Sequence, residues 1–146
     1  MKAGIWITRL LALVGFADAA YLTASHYAGA SVFCGSSGGC ETVLTSEFAT
    51  VGPVPVALVG AAYYAVASLA AWTPLGGWSR RTAVFLAGLT GAGFAVTAVF
   101  FWLQATVIDA WCRFCLVSAA ITTLLFATAL YLARAAPRES GETEAS

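Results

Sequence analysis

Charged side chains are scarce in this sequence of 146 residues: seven are basic, seven are acidic, and together they make up 10% of the chain. Apolar residues reach 60%, well above the roughly 45–50% of soluble domains, and the mean hydropathy is +0.85. The net charge is zero, and no basic patch is present for a nucleic-acid partner. This composition excludes an ordinary soluble domain and predicts an integral protein of the lipid bilayer.

The sequence contains four long apolar runs. Each is close to the length of about 20 residues that a membrane span needs. They predict an all-α integral membrane fold, a four-transmembrane-helix bundle with a long outer loop between helices 1 and 2. Residues 1–136 then form one domain, and residues 137–146 form a disordered cytoplasmic tail. A cleaved signal peptide is the alternative for the first run, which is long for one. The predicted spans cover residues 5–25, 54–72, 82–107 and 112–132.

The basic residues are distributed unevenly about these spans. With four spans, both termini and the turn between helices 2 and 3 lie on the same side of the membrane. Six of the seven basic residues fall on that side, and only Arg113 lies on the other. Cytoplasmic segments carry an excess of Lys and Arg. The sequence therefore predicts cytoplasmic termini, in a bacterial inner membrane.

All four cysteines then lie on the outer side, where disulfide bonds persist. Cys112 and Cys115 form a C-x-x-C at the start of the fourth span, and Cys34 and Cys40 enclose the outer-loop segment "CGSSGGC". Cysteines that only pack as small apolar residues would show no preference for one side. The distribution favours catalytic redox chemistry, and two structural disulfides are the alternative. We expect no metal site, because the spacing of the first pair is unusual for a zinc knuckle.

The position of the C-x-x-C at a helix start has chemical consequences. Free N–H groups and the helix dipole favour an anion there, and Arg113 adds positive charge, so we expect a lowered pKa for the Cys112 thiol. Cys115 lies on the same helical face, about 4.5 Å deeper in the bilayer. One sulfur is then able to face the aqueous side while the other faces a lipid-soluble ligand. Thioredoxin also uses C-x-x-C, but in a βαβ context that this sequence lacks.

Further residues are candidates for ligand contacts or proton transfer. The segment "CETVLTSEF" predicts a short amphipathic helix with Phe48 toward the membrane. This helix screens a site near Cys115, or, as the alternative, it has no role beyond packing. Trp111 contacts the ligand or anchors its helix at the membrane interface. Asp18 is the only acid well inside a span and His26 is the only histidine. Both are candidates for moving protons, with an interhelical hydrogen bond and an interfacial position as the respective alternatives.

The order of these motifs resembles the vitamin K epoxide reductase (VKOR) family, specifically its bacterial disulfide-forming members. A spaced cysteine pair in the first outer loop precedes a C-x-x-C that opens the fourth span, and Ser46 follows the second loop cysteine by six residues. The segments "DAAYLTASHY", "CGSSGGCETVLTS" and "GPVPVALVGAAYY" are also similar to bacterial homologues. The resemblance extends from about Gly15 to Ala133. DsbB-type quinone reductases instead carry their C-x-x-C in the first outer loop.

The resemblance implies roles for individual positions. Cys112 and Cys115 are the active-site pair, with Cys115 reacting at a membrane quinone, ubiquinone or menaquinone. Cys34 and Cys40 are the shuttle pair that takes electrons from a partner, and Ser46 lies near the quinone. The same quinone is the ligand that Phe48, in the loop, and Trp111, before the fourth span, are expected to contact.

Two departures from the family refine the expectation. Many bacterial members carry a fused thioredoxin-like domain that this sequence does not contain, so we expect a separate exported partner, DsbA-like or thioredoxin-like. The vertebrate "CxxCxxxY" tyrosine is Ala119 here, which favours quinone reduction over epoxide reduction. The predicted function is a quinone-dependent thiol-disulfide oxidoreductase that supports disulfide formation. A vitamin K epoxide or quinone reductase and a non-enzymatic membrane protein with two structural disulfides are the alternatives.

Overall fold

The computed structural model describes residues 2–29, 42, 45–72 and 78–136. In these parts the chain is mainly helical, and each of its four long helices agrees with a predicted span to within about one turn. The loop cysteines Cys34 and Cys40 and the tail 137–146 lie outside the described residues, as does much of the predicted outer loop. The helices are α1 (Lys2–Ala28), α2 (Val56–Trp72), α3 (Arg80–Leu103) and α4 (Arg113–Ala135).

Three helical segments are long and apolar enough to cross a membrane: α1, α4, and α3 together with the π-helical turn Gln104–Ile108 that continues it. The fourth, α2, is apolar but has 17 residues. At 1.5 Å per residue it is about 25 Å long, somewhat less than the roughly 30 Å of a hydrocarbon core. These apolar helices identify the chain as a membrane protein.

A small β-hairpin precedes α2, so the second helix begins later than the predicted span 54–72. Its strands, β1 (Thr50–Val51) and β2 (Val54–Pro55), pair antiparallel. Gly52 opens the two-residue loop with φ of 62°, a left-handed conformation that glycine adopts without strain. Before the hairpin, Glu47–Ala49 forms one 3-10 turn. This turn lies where the sequence predicted a short amphipathic helix, whose preceding residues are mostly outside the described part.

Neighbouring helices in the bundle run antiparallel, and α1 and α4 each pack against two other helices. Helix α1 packs against both α2 and α4, and α4 packs against α3, whereas α2 and α3 contact each other much less. Small side chains let the helices approach closely. The sparse contact between α2 and α3 leaves space inside the bundle. The buried core consists mainly of Ala12, Ala19, Ala61, Ala67, Ala71 and Ala129, with Tyr64, Leu86, Ile121 and Leu125.

A buried tyrosine fixes the relative positions of three helices. Tyr64 of α2 is 1% exposed, and its hydroxyl hydrogen-bonds Ser118 Oγ at 2.8 Å, Thr122 Oγ1 at 2.9 Å and the Ser118 carbonyl at 3.0 Å on α4. Its ring lies against Gly15 of α1, where an added Cβ would come within 2.3 Å of a ring carbon. The bundle therefore requires glycine at position 15.

The two ends of the bundle differ in charge. At one end, Arg9 Nε donates to the carbonyl of Ala71 at 3.0 Å, and its guanidinium lies 5.3 Å from the ring of Trp6 and 4.8 Å from that of Trp72. Such cation–π contacts stabilise a membrane-interface position. Arg113 lies at the opposite end, beside the C-x-x-C. The antiparallel arrangement gathers the other described basic residues at the first end: Lys2, Arg9, Arg80, Arg81 and Arg134.

Candidate functional site

A cavity of about 740 Å³ lies inside the bundle, toward the end that carries the C-x-x-C. This volume is within the roughly 300–1,000 Å³ of small-molecule sites. All four helices contribute to its wall, together with the 3-10 turn and the hairpin. Most of the wall is apolar, so the cavity suits a mainly apolar ligand. Its apolar side chains include Leu22, Val59, Leu89, Val96 and Phe100.

Cys112 is the N-cap residue of α4. Its backbone is extended, with φ of −98° and ψ of 117°, and its sulfur accepts a hydrogen bond from the Cys115 N–H at 3.5 Å. One of the free N–H groups of the helix start is thereby satisfied. Cys112 is completely buried and packs against Ile108, Ala110 and Phe114. The position of the C-x-x-C at a helix start allows one sulfur to face the aqueous side, whereas the structure buries Cys112.

Hydrogen bonds lower the pKa of Cys112 to about 7. The largest cause is the hydrogen bond from the Cys115 side chain; burial opposes it, the backbone N–H groups of Cys115 and Phe114 add to it, and the charge of Asp18 again opposes it. The lowering agrees with the sequence prediction, but the charge of the exposed Arg113 is not among its causes.

Cys115 is only partly buried, and it lines the cavity. Cys112, one helical turn earlier, does not line it. The C-x-x-C thus presents one sulfur to the cavity and holds the other behind the wall. Cys115 is the sulfur that the sequence predicts to face the ligand, and this remains a prediction.

Gln104 supports Cys112 and was missed by the sequence analysis. It is 3% exposed, and its Oε1 accepts a hydrogen bond from the Cys112 N–H at 3.0 Å. The π-helical turn that begins at Gln104 ends at its C-cap residue, Asp109. Asp109 adopts the left-handed conformation with φ of 53°, and its backbone N–H donates to the Gln104 carbonyl. Gln104 thereby joins the end of α3 to the start of α4. The available signal was an amide within the apolar run 82–107, since polar groups in spans are costly.

Replacing Gln104 with leucine is expected to destabilise the protein by about 1–3 kcal/mol, because the buried Cys112 N–H loses its acceptor. We also expect Gln104→Leu to lower turnover, because Cys112 loses a contact that positions it. Gln104→Glu retains an acceptor oxygen and is expected to restore part of this turnover. Thermal melting of the detergent-solubilised protein and a thiol-oxidation assay measure the two effects. A Gln104→Leu protein with wild-type melting and turnover would show that this hydrogen bond does not position Cys112.

The predicted ligand contacts divide into two groups. Ser46, Phe48 and Cys115 all line the cavity. Trp111 does not; its ring packs against Phe101 at 5.2 Å between centroids, and the side chain is 44% exposed. The position of Trp111 agrees with the interface-anchor alternative.

Two buried polar atoms in the cavity wall have no hydrogen-bond partner among the described residues. They are Oδ2 of Asp18 on α1 and the hydroxyl of Tyr63 on α2. Tyr63 packs edge-on against Tyr64 and reaches Gly93 of α3, where an added Cβ would lie 2.7 Å from the hydroxyl. Buried polar groups are normally satisfied, so these two atoms are candidates for contact with a polar group of a ligand. The sequence analysis selected Asp18 and missed Tyr63.

A sequence profile of the vitamin K epoxide reductase family matches residues 6–130, which include most of every helix and the C-x-x-C. The chain belongs to the vitamin K epoxide reductase family. It is also similar to Thiol-disulfide oxidoreductase LTO1 of Arabidopsis thaliana, with 36% identity over 118 residues that cover 75% of this chain and 31% of the relative. The chain thus spans about a third of that relative's length. Membership in the VKOR family, predicted from the motifs, is confirmed, and the relative supports a thiol-disulfide redox function.

Proposed function

We propose that this VKOR-family protein is a quinone-dependent thiol-disulfide oxidoreductase that reoxidises an exported DsbA-like or thioredoxin-like partner. The observation that carries the proposal is the position of Cys115, which lines the apolar cavity one helical turn from the buried Cys112. A lipid-soluble oxidant in the cavity is then next to one sulfur of a pair that is able to form a disulfide. An apolar cavity without a nearby thiol would support no redox role.

A quinone bound in the cavity supplies an acceptor for two electrons and two protons. The apolar wall suits its ring and isoprenoid tail, and the unpaired groups of Asp18 and Tyr63 suit its oxygens. Ser46 and Phe48, in the segment before the hairpin, are the further proposed quinone contacts. Ubiquinone and menaquinone both meet these requirements, and neither is favoured by the described residues.

The proposed cycle uses both cysteine pairs. A partner thiolate attacks the Cys34–Cys40 disulfide, and the partner leaves oxidised. One loop thiol then attacks Cys112 in the Cys112–Cys115 disulfide and releases Cys115 beside the cavity. When the second loop thiol attacks the mixed disulfide, Cys112 is the leaving group, and its lowered pKa speeds this departure. The reduced Cys112–Cys115 pair passes its electrons to the quinone and becomes a disulfide again.

The proposed placement in the membrane follows from the ends of the bundle. Residues 1–136 form one membrane domain, with the tail 137–146 on the cytoplasmic side. The basic cluster faces the cytoplasm of a bacterial cell, because Lys and Arg are enriched in cytoplasmic segments. The C-x-x-C end then faces the outer side, where an exported partner is available and disulfides persist.

Quinone reduction is favoured over epoxide reduction by the cavity wall. Ala119, at the position of the vertebrate tyrosine in the resemblance, lines the cavity next to the turn of α4 that carries Cys115. It offers a methyl group where an epoxide reductase of that pattern offers a hydroxyl. The family match alone supports the epoxide-reductase alternative, and Ala119 counts against it.

The decisive experiment measures quinol formation by the purified, detergent-solubilised protein. A reduced DsbA-like protein is the electron source, ubiquinone and menaquinone analogues are the acceptors, and Cys115→Ala is the matched variant. We expect quinol formation with wild type and its loss in the variant, in which Cys112 is trapped in a mixed disulfide with a loop cysteine. A folded wild-type protein whose cysteines stay oxidised and form no quinol would support the structural-disulfide alternative.

A further inference from the structure

Asp18 is the one acidic side chain among the described residues that lines the cavity. It lies on α1, more than two helical turns from the outer end of that helix, and its Oδ2 is buried without a partner. A carboxyl group in such a position costs stability, because a buried polar group without a hydrogen bond is unfavourable. The unpartnered Oδ2 is free to contact a ligand in the cavity.

The carboxyl group is close enough to the redox pair to influence it. The charge of Asp18 opposes the lowering of the Cys112 pKa, although Cys112 lies behind the cavity wall. Cys115 lines the same cavity as Asp18, and the charge of Asp18 acts on the Cys115 thiol as well. A ligand that contacts the Cys115 sulfur from within this cavity is therefore also within reach of Asp18.

We propose that Asp18 is the proton-transfer residue of the cavity, donating a proton to an oxygen of the acceptor that the Cys112–Cys115 pair reduces. This inference rests on the proposed function, which it deepens by assigning the proton step. A neutral carboxyl group carries one O–H donor, and a carbonyl oxygen of a quinone is a suitable acceptor. The Tyr63 hydroxyl, which also belongs to the cavity wall, is a second hydrogen-bond donor for the ligand.

The electrons and protons balance as follows. Cys112 and Cys115 lose two electrons and two protons in total as their S–H bonds break and one S–S bond forms. The quinone, which is the oxidant, gains the two electrons and two protons and leaves as quinol. Asp18 gives one proton to a quinone oxygen and recovers one from the thiol of Cys115, and the proton that Cys112 releases reaches the second quinone oxygen through solvent. Asp18 is therefore unchanged after each turnover.

The test compares Asp18→Asn with wild type in the rate, the pH dependence and the redox state of the cysteines. Asparagine has nearly the same shape but carries no transferable proton. We expect kcat for quinol formation to fall about 10²-fold, while partner thiols still reduce the Cys112–Cys115 disulfide. The reduced pair then accumulates, and thiol alkylation of the quenched protein detects it. The melting temperature is expected to stay level or rise, because an unpaired buried acid is removed.

The pH profile separates proton transfer from positioning. The wild-type rate of the quinone step is expected to fall as pH rises, because the ionised carboxylate has no proton to donate, and this slope is expected to disappear in Asp18→Asn. The other titratable groups that line the cavity are Tyr63 and Tyr64 on α2, Cys115 on α4 and His26 on α1; the described part of α3 contributes none. Asp18→Glu, which keeps the acid, is expected to retain the slope.

Two controls complete the experiment. Asp109→Asn makes the same chemical change at an exposed turn residue outside the cavity, and asparagine tolerates its left-handed backbone; wild-type kinetics are expected. Tyr63→Phe is expected to raise KM for the quinone and to keep the pH slope. An Asp18→Asn protein with wild-type kcat, or with reduced kcat and an unchanged slope, would overturn the proposal. A wild-type protein that forms no quinol would overturn the proposed function and this inference together.

Discussion

Replacing Cys112 with serine is expected to abolish turnover and to leave the bundle folded. Serine is among the best N-cap residues, and the extended backbone at position 112 suits it. Its oxygen is able to accept the Cys115 N–H in place of the sulfur, so the start of α4 is preserved. It cannot form a disulfide, so we expect a loss of turnover on the order of 10³-fold or more.

Alanine at the same position is the informative comparison. Cys112→Ala removes the cap as well as the redox chemistry, and the loss of a side-chain cap costs about 1 kcal/mol. We therefore expect Cys112→Ser to melt close to wild type and Cys112→Ala to melt lower, with both inactive in the quinol assay. A serine variant that still produces quinol would remove Cys112 from the proposed cycle.

The second large effect is expected at Gly15, where alanine should strongly destabilise the bundle. An added Cβ would lie 2.3, 2.5 and 2.7 Å from three atoms of the Tyr64 ring. The ring is held in place because its hydroxyl is bound to Ser118 and Thr122, so relief of the clash requires these hydrogen bonds to break. Overpacking of this kind costs about 1–3 kcal/mol, and displacement of the hydroxyl adds about 1 kcal/mol. Thermal melting in detergent measures the sum.

A matched glycine substitution is available on α3. An added Cβ at Gly88 has nothing within 4 Å, so Gly88→Ala is expected to be neutral or to stabilise the helix by up to about 1 kcal/mol. The double variant Gly15→Ala, Tyr64→Leu removes the ring that causes the clash and is expected to show strong coupling between the two sites. Equal melting temperatures for Gly15→Ala and Gly88→Ala would contradict the close packing of α1 on α2.

Two neighbouring tyrosines of α2 have different roles: Tyr64 packs the bundle, and Tyr63 lines the cavity. Tyr64 binds α4 and fills the space over Gly15, whereas Tyr63 reaches across the cavity to Gly93 of α3. The two rings pack at 4.9 Å in an edge-to-face arrangement. We infer that rigid packing at Tyr64 fixes the direction of the Tyr63 ring, because the two rings pack against each other. The ligand cavity therefore depends on the same packing that stabilises the bundle.

The sequence by itself determined the membrane character, the four helices and the family. Each of these depends on local information: the length and apolar content of a run, the positions of basic residues, and the order of the cysteine motifs. The start of α4 was also predictable, because a C-x-x-C followed by an apolar run marks a helix terminus. The start of α2 was placed too early, since the pairing of β1 with β2 depends on a turn that hydropathy does not detect.

The convergence of particular side chains on the cavity was not predictable from the sequence, because it depends on how the helices pack. A membrane helix is apolar on both its lipid-facing and its buried surfaces, so hydropathy predicts a span without indicating the buried face. The contact between Gln104 and Cys112, the seclusion of Cys112, and the convergence of Asp18, Tyr63 and Cys115 depend on how α1, α2, α3 and α4 are rotated and spaced. The cavity itself exists because α2 and α3 make little contact, which is a property of the assembled bundle and not of any single segment.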